Sequence, residues 1–510
     1  MLNINRLASW WFRPAMRRIR FFMEKPALAQ DFQLRHLLHR AQKTEWGKRY
    51  GFKEIKHYDT FRERIPVSSY EQLYPFIERM MQGERDVLWP GQVRWFAKSS
   101  GTTNDRSKYI PVPKESLHYC HFQGGKDLLT LYLENTPDTR VFNGKALSIG
   151  GTHHPHEGNS RVRVGDVSAV IMQNLPAWAQ WFRAPSLQVA LLADWEEKIQ
   201  AMIRELRNSN ITAIMGVPTW TVVLLEELLK SEGKQYVQEI WQQFEVFFHG
   251  AVAFAPYRPL FERIAPGLRF MEVYNASEGF FALQDDLSRD DMLLMLDYGV
   301  FYEFIPMDEL GKDHPKAYWI DEVEMGKNYA MVISTNGGLW RYLIGDTVQF
   351  TSLYPHRIKI TGRTKQFINA FGEEVMVENA ERAIAFACEK TGAAITDYTV
   401  APVYLGDGNK GAHEWLIEFA SMPHDLHAFG EALDRRLREI NSDYDAKRQH
   451  DLALTAPLIR VLPQGTFQAW MKKRGKLGGQ HKVPRLANHR QYVNDIYRLL
   501  GWEIKETPSA

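Results

Sequence analysis

The sequence has few cysteines, no long apolar run and almost no excess of charge. Its two cysteines, Cys120 and Cys388, lie far apart in 510 residues, which argues against a disulfide framework and fits a reducing cytoplasm. No apolar run approaches the ~18 residues that cross a bilayer, so a transmembrane helix is not expected. A net charge of +2 gives no general attraction for nucleic acid or for an acidic membrane.

The N-terminal stretch is aromatic and basic. Between Leu7 and Met23, tryptophans and phenylalanines alternate with arginines. This pattern is typical of a helix that packs its aromatic face on the protein body, which is the favoured interpretation. A basic amphipathic helix lying on a membrane surface is the alternative, so peripheral membrane contact by residues 1–25 stays open.

The stretch from Lys98 to Lys108 has the clearest chemical meaning. It joins two predicted strands and contains serines, threonines and Gly101. Gly101 can turn successive backbone N–H groups toward one anion, and Lys108 adds a charge suited to phosphate. A phosphate-binding loop is predicted, with a simple surface loop as the alternative. It is not of the Walker type, because Ser107 stands where that motif has glycine.

Strands that alternate with helices follow in the middle of the chain. Three short apolar runs predict buried strands, separated by helical patterns, and this order indicates a parallel sheet. The runs are Ile211–Met215, Phe244–Phe248 and Leu268–Val273. Ligands bind beyond the carboxyl ends of such strands. Polar clusters follow all three runs, at Gly216–Thr219, His249–Ala251 and Tyr274–Glu278, so we expect them to converge.

The chain changes character after Val300, where helical patterns stop. Four apolar runs predict a small antiparallel sheet or barrel over about residues 300–360, with Asn336–Gly338 as a hairpin turn. The runs are Phe301–Ile305, Asn328–Ser334, Leu339–Leu343 and Arg357–Ile360. Asp346 is placed to accept hydrogen bonds from sugar hydroxyls, although a Gly-Asp turn is a simpler explanation.

A second domain is predicted after Thr361–Lys365. Its elements are a helix at Glu378–Lys390, a hairpin around Gly406–Gly408, a long helix at Asp425–Lys447 and a strand at Leu458–Leu462. Lys482 follows in a glycine-rich loop that movement of the whole domain could carry into a site; a solvated basic loop is the alternative. The predicted fold class is α/β. Residues 1–361 form a large domain with parallel α/β sheets and a small antiparallel subdomain, and residues 362–510 form a smaller, mobile α+β domain.

Two further segments invite a function but are explained more simply. His153–Glu157 offers metal-binding side chains, yet a polar loop is favoured because no cysteine lies nearby. Asn174–Phe182 is aromatic and could line an acyl pocket, but core packing is the commoner meaning of such residues.

The motifs together resemble one known family. Ser99–Thr103 with Lys108, Tyr274–Glu278, Tyr342–Asp346, Gly362–Arg363 and Lys482–Arg485 occur in this order. From about residue 30 onward the chain resembles the auxin-responsive (Gretchen Hagen) acyl acid-amido synthetases, particularly their bacterial members. That family belongs to the adenylate-forming superfamily, with acyl-CoA synthetases, adenylation domains and firefly luciferase.

This resemblance implies a role for each matching position. The implied ATP phosphate-binding residues are Ser99, Ser100, Gly101, Thr102, Thr103 and Lys108, and the adenine- and ribose-binding residues are His249, Gly250, Ala251, Tyr274, Asn275 and Asp346. Glu278 is the implied Mg²⁺ ligand, Ser277 and Lys482 the catalytic residues, and Arg363 and Lys365 the hinge. Lys365 stands where relatives in the superfamily often carry an acidic residue.

The implied reaction joins a carboxylic acid to an amine at the expense of ATP. The acid becomes an acyl adenylate with release of pyrophosphate, and an amine, with an amino acid favoured, then displaces AMP. An acyl-CoA ligase with the same first step is the alternative enzyme, and a non-catalytic nucleotide- or membrane-binding protein is a different class. The sequence leaves the acid, the amine and the oligomeric state undetermined.

Overall fold

A computed structural model describes most of the chain. The described residues are 4–99, 108–156, 158–192, 194–251, 254, 257–312, 314–364, 367–368, 373, 375–405, 410–448, 454–476, 482–487 and 489–503.

The chain divides into two compact units. The first comprises residues 1–217, 224–251 and 267–360, and the second comprises residues 218–223, 252–266 and 361–510. The second unit thus includes two short pieces that the sequence analysis assigned to the N-terminal domain. The predicted boundary between residues 361 and 362 stays a prediction.

The helices and strands are numbered in chain order. The helices are α1 (Ile4–Glu24), α2 (Pro26–Ala41), α3 (Glu45–Arg49), α4 (Tyr58–Arg64), α5 (Tyr70–Met81), α6 (Lys114–Ser116), α7 (Phe122–Asn135), α8 (Val167–Asn174), α9 (Ala177–Gln180), α10 (Leu187–Ala190), α11 (Trp195–Leu206), α12 (Pro218–Glu232), α13 (Arg258–Ile264), α14 (Val377–Thr391), α15 (Leu426–Ile440), α16 (Ser442–Arg448), α17 (Thr466–Lys473) and α18 (Gln491–Leu500). The strands are β1 (Trp95–Ser99), β2 (Lys108–Pro111), β3 (Lys145–Ser148), β4 (His153–His156), β5 (Asn159–Gly165), β6 (Arg183–Ala184), β7 (Ile211–Gly216), β8 (Val246–Gly250), β9 (Arg269–Ala276), β10 (Gly279–Leu283), β11 (Met292–Leu294), β12 (Val300–Pro306), β13 (Tyr318–Trp319), β14 (Asn328–Thr335), β15 (Tyr342–Leu353), β16 (His356–Arg363), β17 (Phe367–Ile368), β18 (Val375–Met376), β19 (Ala394–Leu405), β20 (Lys410–Ser421) and β21 (Leu458–Leu462).

A mixed sheet of twelve strands forms the centre of the first unit. Its order is β13-β12-β14-β15-β16-β11-β10-β9-β8-β7-β3-β6. The strands β6, β3, β7, β8 and β9 run parallel, which confirms the predicted α/β fold. Gly216 pairs with His249, and Gly250 pairs with Val273, so the carboxyl ends of β7, β8 and β9 lie side by side.

The predicted antiparallel strands are present, but they continue the same sheet. The chain reverses at a tight turn between β9 and β10, where Ala276 pairs with Gly279. From that turn onward the pairing is antiparallel, and β11 to β16 are added to the edge that β10 provides. One sheet therefore carries both the parallel and the antiparallel regions.

The helix α1 packs on the body of the first unit. Ile19 and Phe22 are buried in its core, and the Arg18 guanidinium forms ion pairs with Asp127 and Asp297. These contacts agree with the favoured interpretation of the N-terminal stretch. Among the described helices, none is long and apolar enough to cross a membrane.

Two local predictions in the first unit were wrong. His153–His156 is not a loop but the strand β4, which pairs with β5 in a second sheet of order β2-β1-β5-β4. Trp181 and Phe182 do not pack in the core, because they are 81% and 56% exposed.

The second unit contains an α+β core around a three-stranded sheet. The strands β19 and β20 form the predicted hairpin, and β21 pairs parallel to β20. The predicted long helix is interrupted at Asn441, whose extended backbone separates α15 from α16. The side chain of Asn441 accepts a hydrogen bond from Tyr444 N, which caps the new helix.

Candidate active site

The two ends of the predicted phosphate loop lie opposite each other. Ser99 is the last residue of β1, Lys108 is the first residue of β2, and they pair directly in the antiparallel hairpin. Ser100, Gly101, Thr102 and Thr103 lie outside the described residues. The hairpin therefore fixes where the loop begins and ends.

Lys108 is held by two tyrosines. Its Nζ lies 3.1 Å from Tyr342 Oη, and 5.6 Å and 5.7 Å from the ring centroids of Tyr70 and Tyr342. Aromatic faces attract an ammonium group at these distances. Tyr109 N also donates to Tyr70 Oη at 2.6 Å. The positive charge at the end of the loop thus has a defined position.

Backbone hydrogen bonds bring these two tyrosines together. Ser68 N donates to Arg341 O at 2.8 Å, and Leu343 N donates to Ser68 O at 2.9 Å. The chain just before α5 is thereby attached to the start of β15. Tyr70 and Tyr342 become neighbours although they are far apart in sequence.

A buried ion pair supports the start of β15. The Arg341 guanidinium binds both carboxylate oxygens of Glu303, at 2.9–3.1 Å, and it also donates to the carbonyls of Arg62 and Ile65. Both ionic side chains are almost fully buried. Because Arg341 precedes Tyr342, this ion pair fixes the strand that carries one wall of the lysine site.

A bulge in β15 sets the direction of Asp346. Val332 of β14 pairs with Leu343 and Ala330 pairs with Thr347, so Ile344–Asp346 lie opposite Met331 alone. Gly345 adopts a φ of +95°, which glycine tolerates without strain. Bulges of this kind redirect side chains next to active sites.

Asp346 meets Tyr274 across the sheet. Tyr274 Oη donates to Asp346 Oδ2 at 2.7 Å, in buried surroundings. The strands β10, β11 and β16 separate β9 from β15, and a flat sheet would hold these strands about 19 Å apart. The sheet must therefore curl so that its antiparallel region faces the end of β9.

Ser277 and Glu278 form the turn between β9 and β10. Both side chains are largely buried, with 4% and 8% exposed. Burial raises the pKa of Tyr70, and the charge of Glu278 contributes to this rise. Asn275, near the end of β9, is half-buried.

These contacts connect several of the predicted site residues. Lys108 contacts Tyr342, the strand β15 leads to Asp346, and Asp346 binds Tyr274. From Tyr274 the chain leads to Glu278 in the turn between β9 and β10, and Lys108 also lies over the ring of Tyr70. The structure thus brings the phosphate, metal and ribose candidates to one region of the first unit.

The cluster at the end of β8 lies at the same edge of the sheet. His249 is buried, and it pairs with Gly216 and with Glu272. A Cβ at Gly250 would lie 2.3 Å from Val273 O, so no other residue fits there. Ala251 has a φ of +75°, which is uncommon for alanine and often marks functional sites.

Three predicted site residues fall elsewhere. Arg363 ends β16 and, with Lys482, belongs to the second unit. Lys365 lies outside the described residues. The roles of all the candidates, including Ser277, stay predictions.

Sequence reasoning missed Tyr70, the hydroxyl of Tyr342 and the ion pair of Arg341. Tyr342 belongs to the Tyr342–Asp346 motif but was given no role, and the sequence around Tyr70 carries no chemical signal. Their contacts span 39 to 279 residues of sequence. Only the folded chain reveals them.

Replacement of Tyr342 with phenylalanine tests the lysine site. The variant keeps both rings but loses the hydroxyl that binds Lys108, and one hydrogen bond contributes about 1 kcal/mol. We expect the KM for ATP to rise about fivefold in initial-rate measurements. Tyr354→Phe, at an exposed tyrosine, is the control. An unchanged KM in both variants would contradict the assignment of Lys108 to phosphate.

The architecture defines a class of protein. A mixed sheet with polar clusters at the carboxyl ends of its parallel strands, together with a separate α+β unit, agrees with the adenylate-forming fold that the sequence motifs imply. Sequence comparison makes this specific. The GH3 family N-terminal domain matches residues 15–270, the central domain residues 293–363 and the C-terminal domain residues 378–491. The chain belongs to the GH3 family.

Curated relatives match over nearly their whole length. An indole-3-acetic acid-amido synthetase, GH3.3 of Arabidopsis thaliana, is 23% identical over 91% of this chain and 90% of that protein. The 4-substituted benzoates-glutamate ligase GH3.12 of Arabidopsis thaliana is 22% identical over 89% of this chain and 92% of that protein. Both relatives are ligases, and the chain is a ligase accordingly.

Solved structures show the same fold. The AtGH3.15 acyl acid amido synthetase in complex with 2,4-DB superposes with a TM-score of 0.79, at 17% identity, over 95% of both chains. The 2-hydroxyisobutyryl-CoA ligase in the postadenylation state with 2-HIB-AMP gives a TM-score of 0.59, at 13% identity, over 92% of this chain and 91% of that chain.

Proposed function

We propose that the chain is an ATP-dependent acid-amido synthetase that adenylates a carboxylic acid and transfers the acyl group to an amino acid or other amine. The observation that carries this proposal is the connected set of Lys108, Tyr342, Asp346 and Tyr274, with Glu278 in the adjoining turn, in a member of the GH3 family. It groups a cation for phosphate, a carboxylate for ribose hydroxyls and a carboxylate for a metal ion.

In the first step, a carboxylate oxygen of the acid attacks the α-phosphorus of ATP, and pyrophosphate leaves. Negative charge builds on the phosphate oxygens, so fixed donors lower the barrier. Lys108 and the loop from Ser99 to Thr103 hold the phosphates, Asp346 accepts from the ribose hydroxyls, and Lys482 neutralises charge at the α-phosphate. Ser277 adds a neutral donor beside the acyl phosphate, while His249–Ala251, Tyr274 and Asn275 line the adenine.

In the second step, the amine attacks the acyl carbon, and AMP leaves. The amine loses a proton as the amide forms. No covalent acyl-enzyme is needed, because the adenylate is already an activated acyl group. Stabilisation of the departing phosphate by preorganised donors is the contribution of the protein.

The residues of the site suit magnesium. Glu278 is an oxygen ligand at a buried turn, and the described part of the chain holds no cluster of three or more metal-binding side chains. Mg²⁺ is commonly bound by one or two carboxylates together with substrate phosphates, so a single carboxylate fits. The ion would neutralise part of the negative charge on the ATP phosphates.

Replacement of Glu278 with glutamine tests the metal site. The amide keeps the shape of the side chain but loses the charge, so we expect the Mg²⁺ concentration for half-maximal rate to rise at least about tenfold. The measurement is a Mg²⁺ titration of the adenylation rate at fixed ATP. Glu272→Gln, on the strand β9 that precedes this turn, is the control and should leave the titration unchanged. A wild-type titration for Glu278→Gln would remove Glu278 as a ligand.

The proposal names an amine as the acceptor of the acyl group. The product distinguishes an amide synthetase from the alternative acyl-CoA ligase: with acid and ATP supplied, mass spectrometry should find an amide with amino acids and no thioester with coenzyme A. A thioester alone would overturn the amide assignment.

A cytoplasmic location is proposed because Cys120 and Cys388 are both free thiols.

A further inference from the structure

The segment after Lys482 is fixed against the sheet of the second unit. Val400 N donates to Arg485 O at 2.8 Å, and Ala487 N donates to Val400 O at 3.1 Å. Thr399 Oγ1 also donates to Pro484 O at 2.6 Å. The segment thus pairs with β19 through an isolated parallel bridge between Leu486 and Val400.

The side chain of Arg485 anchors the same segment from within the core. Arg485 is 6% exposed, and its guanidinium pairs with Asp397 and lies 3.4 Å from a carboxylate oxygen of Glu381. It donates to Tyr257 Oη at 2.8 Å and stacks 4.5 Å from the ring centroid of Tyr398. A buried guanidinium with this many partners has one orientation, because its donors form a rigid planar fork.

The link between Arg485 and Lys482 is short and stiff. Only Val483 and Pro484 separate them, and Val483 is itself buried. Proline fixes its own φ and restricts the residue before it to extended conformations. The position of Arg485 therefore determines where the backbone of Lys482 begins.

We propose that Arg485 is a positioning residue for adenylation: its buried site holds the Lys482 backbone so that the ammonium reaches the α-phosphate reproducibly. This inference rests on the role of Lys482 under the proposed function. In this inference Arg485 contacts neither ATP nor the carboxylic acid. Its effect is confined to the half-reaction that uses Lys482.

The two half-reactions separate positioning from folding. Arg485→Lys keeps the charge but loses the planar fork, and Thr399→Val removes the independent hydrogen bond to Pro484. Each variant is assayed for single-turnover pyrophosphate release and for transfer from chemically synthesised acyl adenylate, using the acid and amino acid with the fastest wild-type turnover. We expect Arg485→Lys to slow adenylation by about 10–10²-fold, as displacement of a catalytic group does, and Thr399→Val to slow it less. Transfer should change less than about twofold, because Lys482 acts in the first step.

Arg448→Lys is the matched control. Arg448 is also buried in the second unit, where it binds both oxygens of Asp434 at 2.7–2.8 Å. It should leave the ratio of the two half-reaction rates unchanged.

Equal slowing of both half-reactions in Arg485→Lys and Thr399→Val, or wild-type adenylation in both, would overturn the inference. If Arg485→Lys does not fold, Thr399→Val decides. Lys482→Ala separates a failure of the proposed function from a failure of this inference. A wild-type adenylation rate in Lys482→Ala overturns the role of Lys482 itself. Slow adenylation in Lys482→Ala together with wild-type rates in Arg485→Lys and Thr399→Val overturns only the role of Arg485.

Discussion

Lys482→Ala is expected to slow adenylation by about 10²–10³-fold, the usual loss when one donor to a charged transition state is removed. In the proposed mechanism the ammonium compensates charge both on the attacking carboxylate and on the α-phosphate, so we expect its loss to affect the chemical step more than ATP binding. Single-turnover pyrophosphate release at saturating ATP and acid measures that step directly.

Lys473→Ala is the control for this experiment, since Lys473 ends α17 and is exposed in the same unit. That variant should retain the wild-type rate. If Lys482→Ala also retains it, Lys482 has no part in the mechanism, and the resemblance of Lys482–Arg485 to the family motif carries no chemistry.

Arg341→Met is expected to destabilise the first unit by about 3–5 kcal/mol, because it leaves the carboxylate of Glu303 buried without its partner. The backbone carbonyls of Arg62 and Ile65 lose their donor as well. Chemical denaturation followed by tryptophan fluorescence measures the loss, since Trp89 and Trp340 are buried in this unit.

A double-mutant cycle isolates the cause of that loss. In Arg341→Met with Glu303→Met no unpaired charge remains, and Tyr58 Oη keeps a partner in Ala317 O at 3.1 Å. We expect the double variant to be more stable than Arg341→Met alone. A double variant as unstable as the sum of the two single variants would show that the ions act independently.

The parallel sheet could be predicted because its signals are local. The strands β7, β8 and β9 are short apolar runs separated by helical patterns, and strands connected in this way form a parallel sheet through right-handed crossovers. The same reasoning placed the polar clusters at one edge of the sheet, where the registers of Gly216, His249 and Val273 now align them. Periodicity and turn residues were sufficient there.

Other features depended on contacts that a linear pattern does not contain. His153–His156 reads as a polar loop, and only its pairing with β5 makes it a strand. The helix predicted for Asp425–Lys447 ends at Ile440, because the backbone of Asn441 is extended and its side chain caps a second helix. Tyr70 gains its place in the site from Lys108, which does not lie in its own segment.

The bulge at Asp346 shows how the two kinds of information combine. The sequence marked Tyr342–Asp346 as a motif and offered either a ribose ligand or a turn. In the structure Gly345 permits a bulge within β15, and Asp346 consequently meets Tyr274 from the far side of a curled sheet. The sequence showed the motif, but it did not show that the sheet curls and brings Asp346 to Tyr274.

Acid-dependent pyrophosphate release tests the central claim most directly. The purified protein is incubated with ATP and Mg²⁺ and with aryl and fatty acids in turn, each with and without amino acids. Pyrophosphate and AMP should appear in equal amounts only when a suitable acid is present, and an amide should accumulate when an amine is added. If no acid elicits pyrophosphate, or if ATP is split to ADP instead, then this site does not bring a carboxylate to the α-phosphate of ATP.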